Sequence, residues 1–289
     1  MKICDLLTFS AVARCASITA AARELNTVQS NVTNRIRSLE EHIGLPLLDR
    51  HSRGVTLTLA GVRFLPYVQQ ALTLLDEAAK VARDEGEPKG TLAIGSMETT
   101  LAVRLPDILA SFRERYRAVN LAMKINATAC LVDNVLNNEV DGAFIAGPLE
   151  HPLLVAEKVF EEELVLITPP HYTSIDQLIS EKQDITALMF KQGCAYRQRL
   201  EQFLVYIGRP AFQRLELGSL DGMMGCVSAG VGITLLPRSI VVRSDLQVRF
   251  GIHEIAPSIA HVPTLFVRRR DAHVTTALKC FMESLVSEI

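Results

Sequence analysis

The chain has 289 residues, 48% apolar and 21% charged, and a formal charge of −2. That length predicts about two domains of ~150 residues, each able to bury a core, and the composition excludes a disordered chain. With no run of ~18 uncharged apolar residues, no membrane-spanning helix is expected.

Met1, Lys2, Ile3, Cys4 and Asp5 lead into polar and charged positions rather than the apolar core of a secretory signal, so a cytoplasmic protein is expected. Leu6, Phe9, Val12 and Ala13 recur at helical spacing and predict an amphipathic helix ending near Ala16 and Ser17. Ser17 or Thr19 then caps a short Ala-rich helix over 20–25, whose small side chains let another helix approach closely. Asn26 and Thr27 break it and offer a further cap, and Val32, Ile36, Leu39 and Ile43 mark the buried face of a third helix. Two short helices joined by a tight turn make a helix-turn-helix.

Gly44 and Pro46 stop the third helix, and Val55, Leu57 and Leu59 then alternate with polar residues as a strand does, which predicts a wing. From Gly61 to about Asp84, Phe64, Val68, Ala71, Leu75, Ala78 and Ala82 form a heptad seam. A small domain cannot cover such a seam, so the helix is expected to pair with a second copy. Gly86, Pro88 and Gly90 place the domain boundary at 86–90. Beyond it, strand-like runs at 92–94, 121–125 and 143–146 alternate with helical segments at 101–116 and 130–138. A second set follows, with strands at 164–167, 187–190 and 214–217 and a helix at 197–207. This is α/β patterning, and it predicts two α/β lobes with a cleft between them.

Residues 1–63 hold eight Lys/Arg against five Asp/Glu, an excess that suits phosphate contact. Gln29, Ser30, Asn31, Thr33, Asn34, Arg35 and Arg37 lie on or beside the exposed side of the third helix, whose start can enter a DNA major groove. Gln29 and Asn34 can make paired hydrogen bonds to adenine, and Gln29 and Ser30 are the expected base readers. Thr33, Arg35 and Arg37 are expected on phosphates, which fix register without reading sequence. The plainer reading is a solvated helix face beside an ordinary charged loop.

A family resemblance decides between these readings. Ser17, Ile18, Thr19, Ala20, Ala21, Ala22, Arg23, Glu24 and Leu25, then Gln29, Ser30, Val32, Thr33, Arg35, Ile36, Leu39, Glu40 and Glu41, closely resemble the LysR-type helix-turn-helix. Gly44, Leu45, Pro46, Leu47, Leu48, Asp49 and Arg50, with Arg53 and the run from Leu57 through Thr58, Leu59 and Ala60 to Gly61, continue the match. The segment from Val227, Ser228, Ala229, Gly230, Val231 and Gly232 to Pro237 is similar to the family's glycine-rich segment. One departure is Val28, where the family usually has a serine that caps the reading helix. The resemblance implies a bacterial transcription regulator on an imperfect dyad in double-stranded DNA, with Arg50 and Arg53 at the minor groove or its phosphates. It also implies a homodimer or homotetramer and a sensing domain similar to type 2 periplasmic binding proteins.

The expected fold class is thus α/β with an all-α-rich N-terminal domain. A winged helix-turn-helix over 1–60, a linker helix over 61–85 and a hinge over 86–90 precede a two-lobed effector-binding domain over 91–289. Its lobes are expected near 91–162 with 264–289, and near 163–263.

The strand at 92–94 runs into Gly95, Ser96, Met97, Glu98, Thr99 and Thr100, where hydroxyls and free N–H groups gather at a helix start, a general anion site. The resemblance puts the effector between the lobes at Ser96, Thr100, Thr128 and a loop holding Gly193, Cys194 and Tyr196, with Met97, Thr99 and Ser219 as further candidates. A small carboxylate or similar anion is the expected ligand. The alternative is that Ser96, Thr99 and Thr100 are helix caps only. Six cysteines, Cys4, Cys15, Cys130, Cys194, Cys226 and Cys280, show no CxxC pair, which argues against a zinc site or a disulfide framework. Cys194 with Cys226 raises a redox reading that needs a depressed thiol pKa and exposure. Glu161 and Glu162 look like a solvated face. With no metal-ligand spacing among His171, His253, His261 and His273 and no G-x-S-x-G or Walker segment, neither an enzyme nor a cofactor is expected. A transporter's solute-binding protein is the other rival, and the N-terminal 90 residues count against it.

Overall fold

The computed structural model describes residues 1–51, 54–84, 86–180, 184–243 and 250–287, and it divides into two compact units, Met1–Arg83 and Asp84–Ile289. Arg53 and Glu85 lie outside the described residues.

In the first unit, helices α1 (Ile3–Cys15), α2 (Ile18–Glu24) and α3 (Gln29–Ile43) are followed by strands β1 (Leu48–His51) and β2 (Gly54–Leu57) and by helix α4 (Leu59–Arg83). Leu6, Phe9 and Val12 of α1 meet Ala21 and Ala22 of α2 and Val32, Ile36 and Leu39 of α3 in one buried cluster. Ser17 Oγ accepts the Ala20 N–H and so caps α2. The expected cap of α3 from Asn26 or Thr27 does not form. The N-cap is Val28, which has no side-chain acceptor, and Thr27 Oγ1 instead accepts from Asn31 Nδ2. Gly44 ends α3 with φ +79, a left-handed conformation that a residue without Cβ adopts freely.

Antiparallel β1 and β2 form the wing, and Glu40 Oε1 ties it to α3 by accepting the N–H groups of Leu47 and Leu48. Leu59 is not a strand residue: it opens α4, whose first turn is capped by Thr58 Oγ1 accepting the Gly61 N–H. The seam expected on α4 is split by this packing. Phe64 and Val68 are spent on the domain's own core, whereas Leu75, Ala78 and Ala82 stay exposed beside Leu74 and Val81.

The second unit runs β3 (Gly90–Ser96), α5 (Glu98–Val103), α6 (Leu105–Arg115), β4 (Val119–Ile125), α7 (Thr128–Leu136), β5 (Gly142–Ala146), β6 (Leu154–Thr168), α8 (Ile175–Ser180) and β7 (Ile185–Met189). It continues with α9 (Ala195–Tyr206), β8 (Phe212–Glu216), α10 (Leu220–Ser228), β9 (Thr234–Pro237), α11 (Arg238–Arg243), β10 (Gly251–His253), α12 (Pro257–Ala260), β11 (His261–Arg269) and α13 (Thr276–Ser287). The main sheet has the order β10-β6-β11-β5-β3-β4, with β9 also on β6. β3 pairs in parallel with β4 and β5, while β6 and β11 are antiparallel and cross from one lobe into the other. A second parallel pair, β7 and β8, belongs to the far lobe and is linked to it by the Ala187–Ile233 bridge.

Three further expectations are corrected. The helix expected over 101–116 is two helices meeting at Arg104, because Pro106 has no N–H to continue α5 and starts α6 instead. The strand expected at 164–167 begins ten residues earlier, at Leu154. Glu162 is no solvated residue: it is 4% exposed, and its carboxylate accepts from Arg104 Nε at 2.7 Å and from Ser239 Oγ at 3.1 Å. Alternation along a strand explains the pair, since Glu161 points outward and Glu162 inward.

Two predictions follow from these anchors. Removing one member of a buried ion pair leaves an uncompensated charge. With Arg104 a third exposed, Glu162→Ala is expected to destabilise the second unit by about 2–4 kcal/mol in urea unfolding. Asp84 binds the start of α13, accepting the Thr276 hydroxyl at 2.7 Å and the Thr276 N–H at 2.8 Å, with His273 Nε2 at 3.3 Å. These bonds, the Thr276 hydroxyl foremost, hold its carboxyl at about 2 against an ordinary 3.8. A depressed carboxyl stabilises the fold above its unfolded pKa and stops doing so as it protonates. Stability of this unit should fall as pH drops from about 4 to about 2, and Asp84→Asn should flatten that part of the profile in thermal denaturation.

Candidate nucleic-acid interface and ligand cavity

With Val32, Ile36 and Leu39 turned into the core, α3 presents its other face to solvent. Gln29, Ser30, Asn34 and Arg37 are exposed there, and Asn31, Thr33 and Arg35 are half-buried at its border. Gln29 Nε2 donates to Thr19 Oγ1 at 2.5 Å, so an exposed hydroxyl of α2 orients the side chain at the helix start. Thr19 was read only as a possible cap in the sequence. Asn31 spends both ends of its amide inside the protein, donating to Thr27 Oγ1 and accepting from Arg35 Nε at 3.2 Å. It holds Arg35 in place rather than standing free. Arg37 pairs with Glu41 one turn on, with both side chains well exposed, a contact that is easily exchanged. Arg50 is exposed on β1, and His51 Nδ1 lies 2.8 Å from Gly54 O across the wing turn.

In the second unit a cavity of about 230 Å³ opens where strands end. Its wall takes Met97 from beyond β3, Asn126 from beyond β4, Phe190 from beyond β7 and Leu217 from beyond β8. These are the carboxyl ends of the parallel neighbours β3 and β4 in one lobe and β7 and β8 in the other, and crevices outside the carboxyl ends of parallel strands are where open α/β sheets bind ligands. The first turns of α7 and α9 arrive at the same place with Thr128, Cys194 and Tyr196. Their N-caps, Ala127 and Cys194, make no side-chain capping bond.

Of the expected contacts, Met97, Thr99, Thr128, Cys194 and Tyr196 are on the wall. Four are not. Ser96 is fully buried and donates its hydroxyl to Met97 O. Thr100 is buried one position beyond the wall. Gly193, at φ +90, shapes the loop by giving its carbonyl to the Ala129 N–H. Ser219 caps α10 through the Gly222 N–H. Sequence reasoning missed Glu98, Asn126, Lys191 and Gln192, which also line the cavity; their positions just past strand ends were the available signal.

Among the described residues two buried hydroxyls on the wall find no hydrogen-bond partner: Thr99 Oγ1 and Tyr196 OH, on residues 5% and 3% exposed. The two act on each other electrostatically, but neither makes a hydrogen bond of good geometry. Burial pushes the Tyr196 phenol up, so it stays a neutral donor. Burial also pushes the Cys194 thiol up, the reverse of what a redox-reactive thiolate needs. Thr128 Oγ1 is held between Met97 Sδ at 3.5 Å and the Ala146 N–H at 3.4 Å. Among the described residues no group of His, Cys, Asp and Glu could hold a metal ion, and no helix is long and apolar enough to cross a membrane.

Comparison with known proteins matches residues 3–62 to a bacterial regulatory helix-turn-helix protein family, the lysR family, and residues 85–289 to the LysR substrate binding domain. Relatives include the HTH-type transcriptional regulators GltR and YofA of Bacillus subtilis. GltR is 43% identical over 98% of this chain and 95% of its own length, and YofA 40% over 99% and 98%. Among solved structures, the LysR family regulator CbnR superposes with a TM-score of 0.72 at 19% identity over 99% of both chains, a likeness of fold. The chain belongs to the LysR family: it is a DNA-binding transcription regulator with an N-terminal helix-turn-helix and a C-terminal effector-binding domain.

Proposed function

We propose that the chain acts in the cytoplasm as a homo-oligomeric, non-enzymatic regulator that reads a promoter dyad through α3 and answers to a small anion or carboxylate held between its lobes. The observation that carries the reading half is the exposed first turn of α3. Gln29 and Ser30 contact base edges, with Asn34 beside them. Thr33, Arg35 and Arg37 contact phosphates, with Arg35 steadied by Asn31. Arg50 on the wing reaches the minor groove or its phosphates, together with Arg53. CbnR has been solved in complex with its target DNA, which supports the same role for the matching fold.

The effector contacts Met97, Thr99, Thr128, Cys194 and Tyr196. Two unpartnered buried hydroxyls and two uncapped helix starts at one cavity favour an anionic group. About 230 Å³ lies below the ~300–1,000 Å³ of pockets for drug-sized ligands, which suits a small metabolite. Binding there changes the angle between the lobes and hence the spacing of the reading heads, a shift between two populated states. Dimers form through the exposed part of α4, around Leu74, Leu75 and Val81, and pair further into tetramers.

Binding to DNA from just upstream of the chain's own gene tests the reading half. Gln29→Ala should lose about tenfold or more in specific affinity. Arg50→Ala should weaken all sequences alike and lower the salt slope by about one. A folded protein that binds none of that DNA specifically would overturn the proposal. Leu75→Asp should shift the sedimentation coefficient toward that of a smaller species while leaving the helical content intact.

A further inference from the structure

We infer that the effector is a zwitterion, carrying a carboxylate and, a few bonds away, a protonated amine. The amine lies against Glu98 and the carboxylate against Lys191 and the first turns of α7 and α9. This rests on the small-anion reading of the cavity and narrows it.

Glu98 and Lys191 put opposite charges on one wall. Among the described residues neither is in an ion pair. Among the described residues Glu98 Oε1 accepts the Leu220 N–H at 3.2 Å and Oε2 has no donor, and the Lys191 ammonium has no acceptor, while both residues line the cavity. In a cavity this small every ligand atom lies well within the Debye length of ~8 Å, so both charges act on whatever binds.

A molecule bearing only carboxylates would bring a second negative charge up to Glu98 while losing water, and like charges sharing a site resist ionisation. A molecule bearing only an amine would face Lys191 and two helix starts whose partial charge is positive. A ligand with both groups satisfies each end. The unpartnered hydroxyls fit the same arrangement: Tyr196 OH is a neutral donor for a carboxylate oxygen, and Thr99 stands next to Glu98 on the first turn of α5. Met97, Ile125 and Phe190 leave an apolar stretch of wall for a short side chain.

The test uses the purified full chain with matched probes at millimolar concentration and neutral pH: the common L-amino acids, their 2-hydroxy acids, and the amines left when the carboxylate is removed. Thermal shift finds binders and titration calorimetry measures them. At least one amino acid should bind, and its 2-hydroxy counterpart should bind about tenfold or more weakly. Glu98→Gln keeps an acceptor for the Leu220 N–H, so the fold should hold, and circular dichroism checks this. That variant should erase the preference by weakening the amino acid alone. Lys191→Met should weaken both acids.

Hydroxy acids binding as tightly as their amino acids would overturn the zwitterion while leaving the small-anion reading intact. Binding of the amines without either acid, or of no probe at all, would overturn both.

Discussion

Two strands, β6 and β11, are long enough to belong to both lobes of the second unit, and the lobes' relation is set where they cross. Through 154–163, β6 pairs with β11 beside a core of Phe112, Phe144, Phe266 and Phe281; from Leu164 onward it pairs with β9 and β10 in the other lobe. Glu162 sits at the change of partner. A carboxylate taken out of water there must be met by donors, and one comes from each side: Arg104 at the α5–α6 junction and Ser239 on α11. Next to it, Glu163 accepts from Arg238 Nε at 2.9 Å, and β11 shifts register between Thr264 and Leu265. The crossing is therefore both a continuous ladder and a local irregularity held by charged side chains.

That crossing also decides where a ligand can sit. The parallel strands β3 and β4 of one lobe and β7 and β8 of the other bring their four carboxyl ends together at one cavity. The helices that follow begin at the same place, so backbone N–H groups, loop side chains and strand-end residues converge without any one loop having to be long. The antiparallel strands build the frame.

What could be read in the sequence was what repeats over short distances. The buried faces of α1, α2 and α3 and the stop at Gly44 follow from periodicity and one glycine, and the structure has them. The break at Arg104 was hidden because apolar residues continue at helical spacing on either side of Pro106. β6 was half seen, since its charged first part offers no apolar alternation. β11 was missed altogether: Pro263 interrupts it opposite Glu161, next to the register shift where a strand can hold a proline. At the cavity, hydroxyls drew attention because they cap helices, yet Ser96 and Thr100 point into the protein. Glu98 was read only as part of a helix start and Lys191 was not singled out, because only the fold brings the ends of four strands together.

Helix starts in the two units are closed in different ways. Ser17, Thr58, Ser174 and Ser219 each accept a first-turn N–H, so α2, α4, α8 and α10 are closed by their own side chains. Asp84 does the same for α13. Pro106 and Pro257 stand in the first turns of α6 and α12, where they remove a donor that would otherwise need a partner. The helices α3, α7 and α9 instead follow Val28, Ala127 and Cys194, none of which caps by its side chain. First-turn donors left without a capping side chain still require acceptors, and phosphate or carboxylate oxygens supply them well. The serine that the family usually has at position 28 would compete for those donors. With valine there, no side chain at the N-cap takes the first-turn donors of α3, whereas at α7, which also lacks a side-chain cap, the Gly193 carbonyl takes the Ala129 N–H.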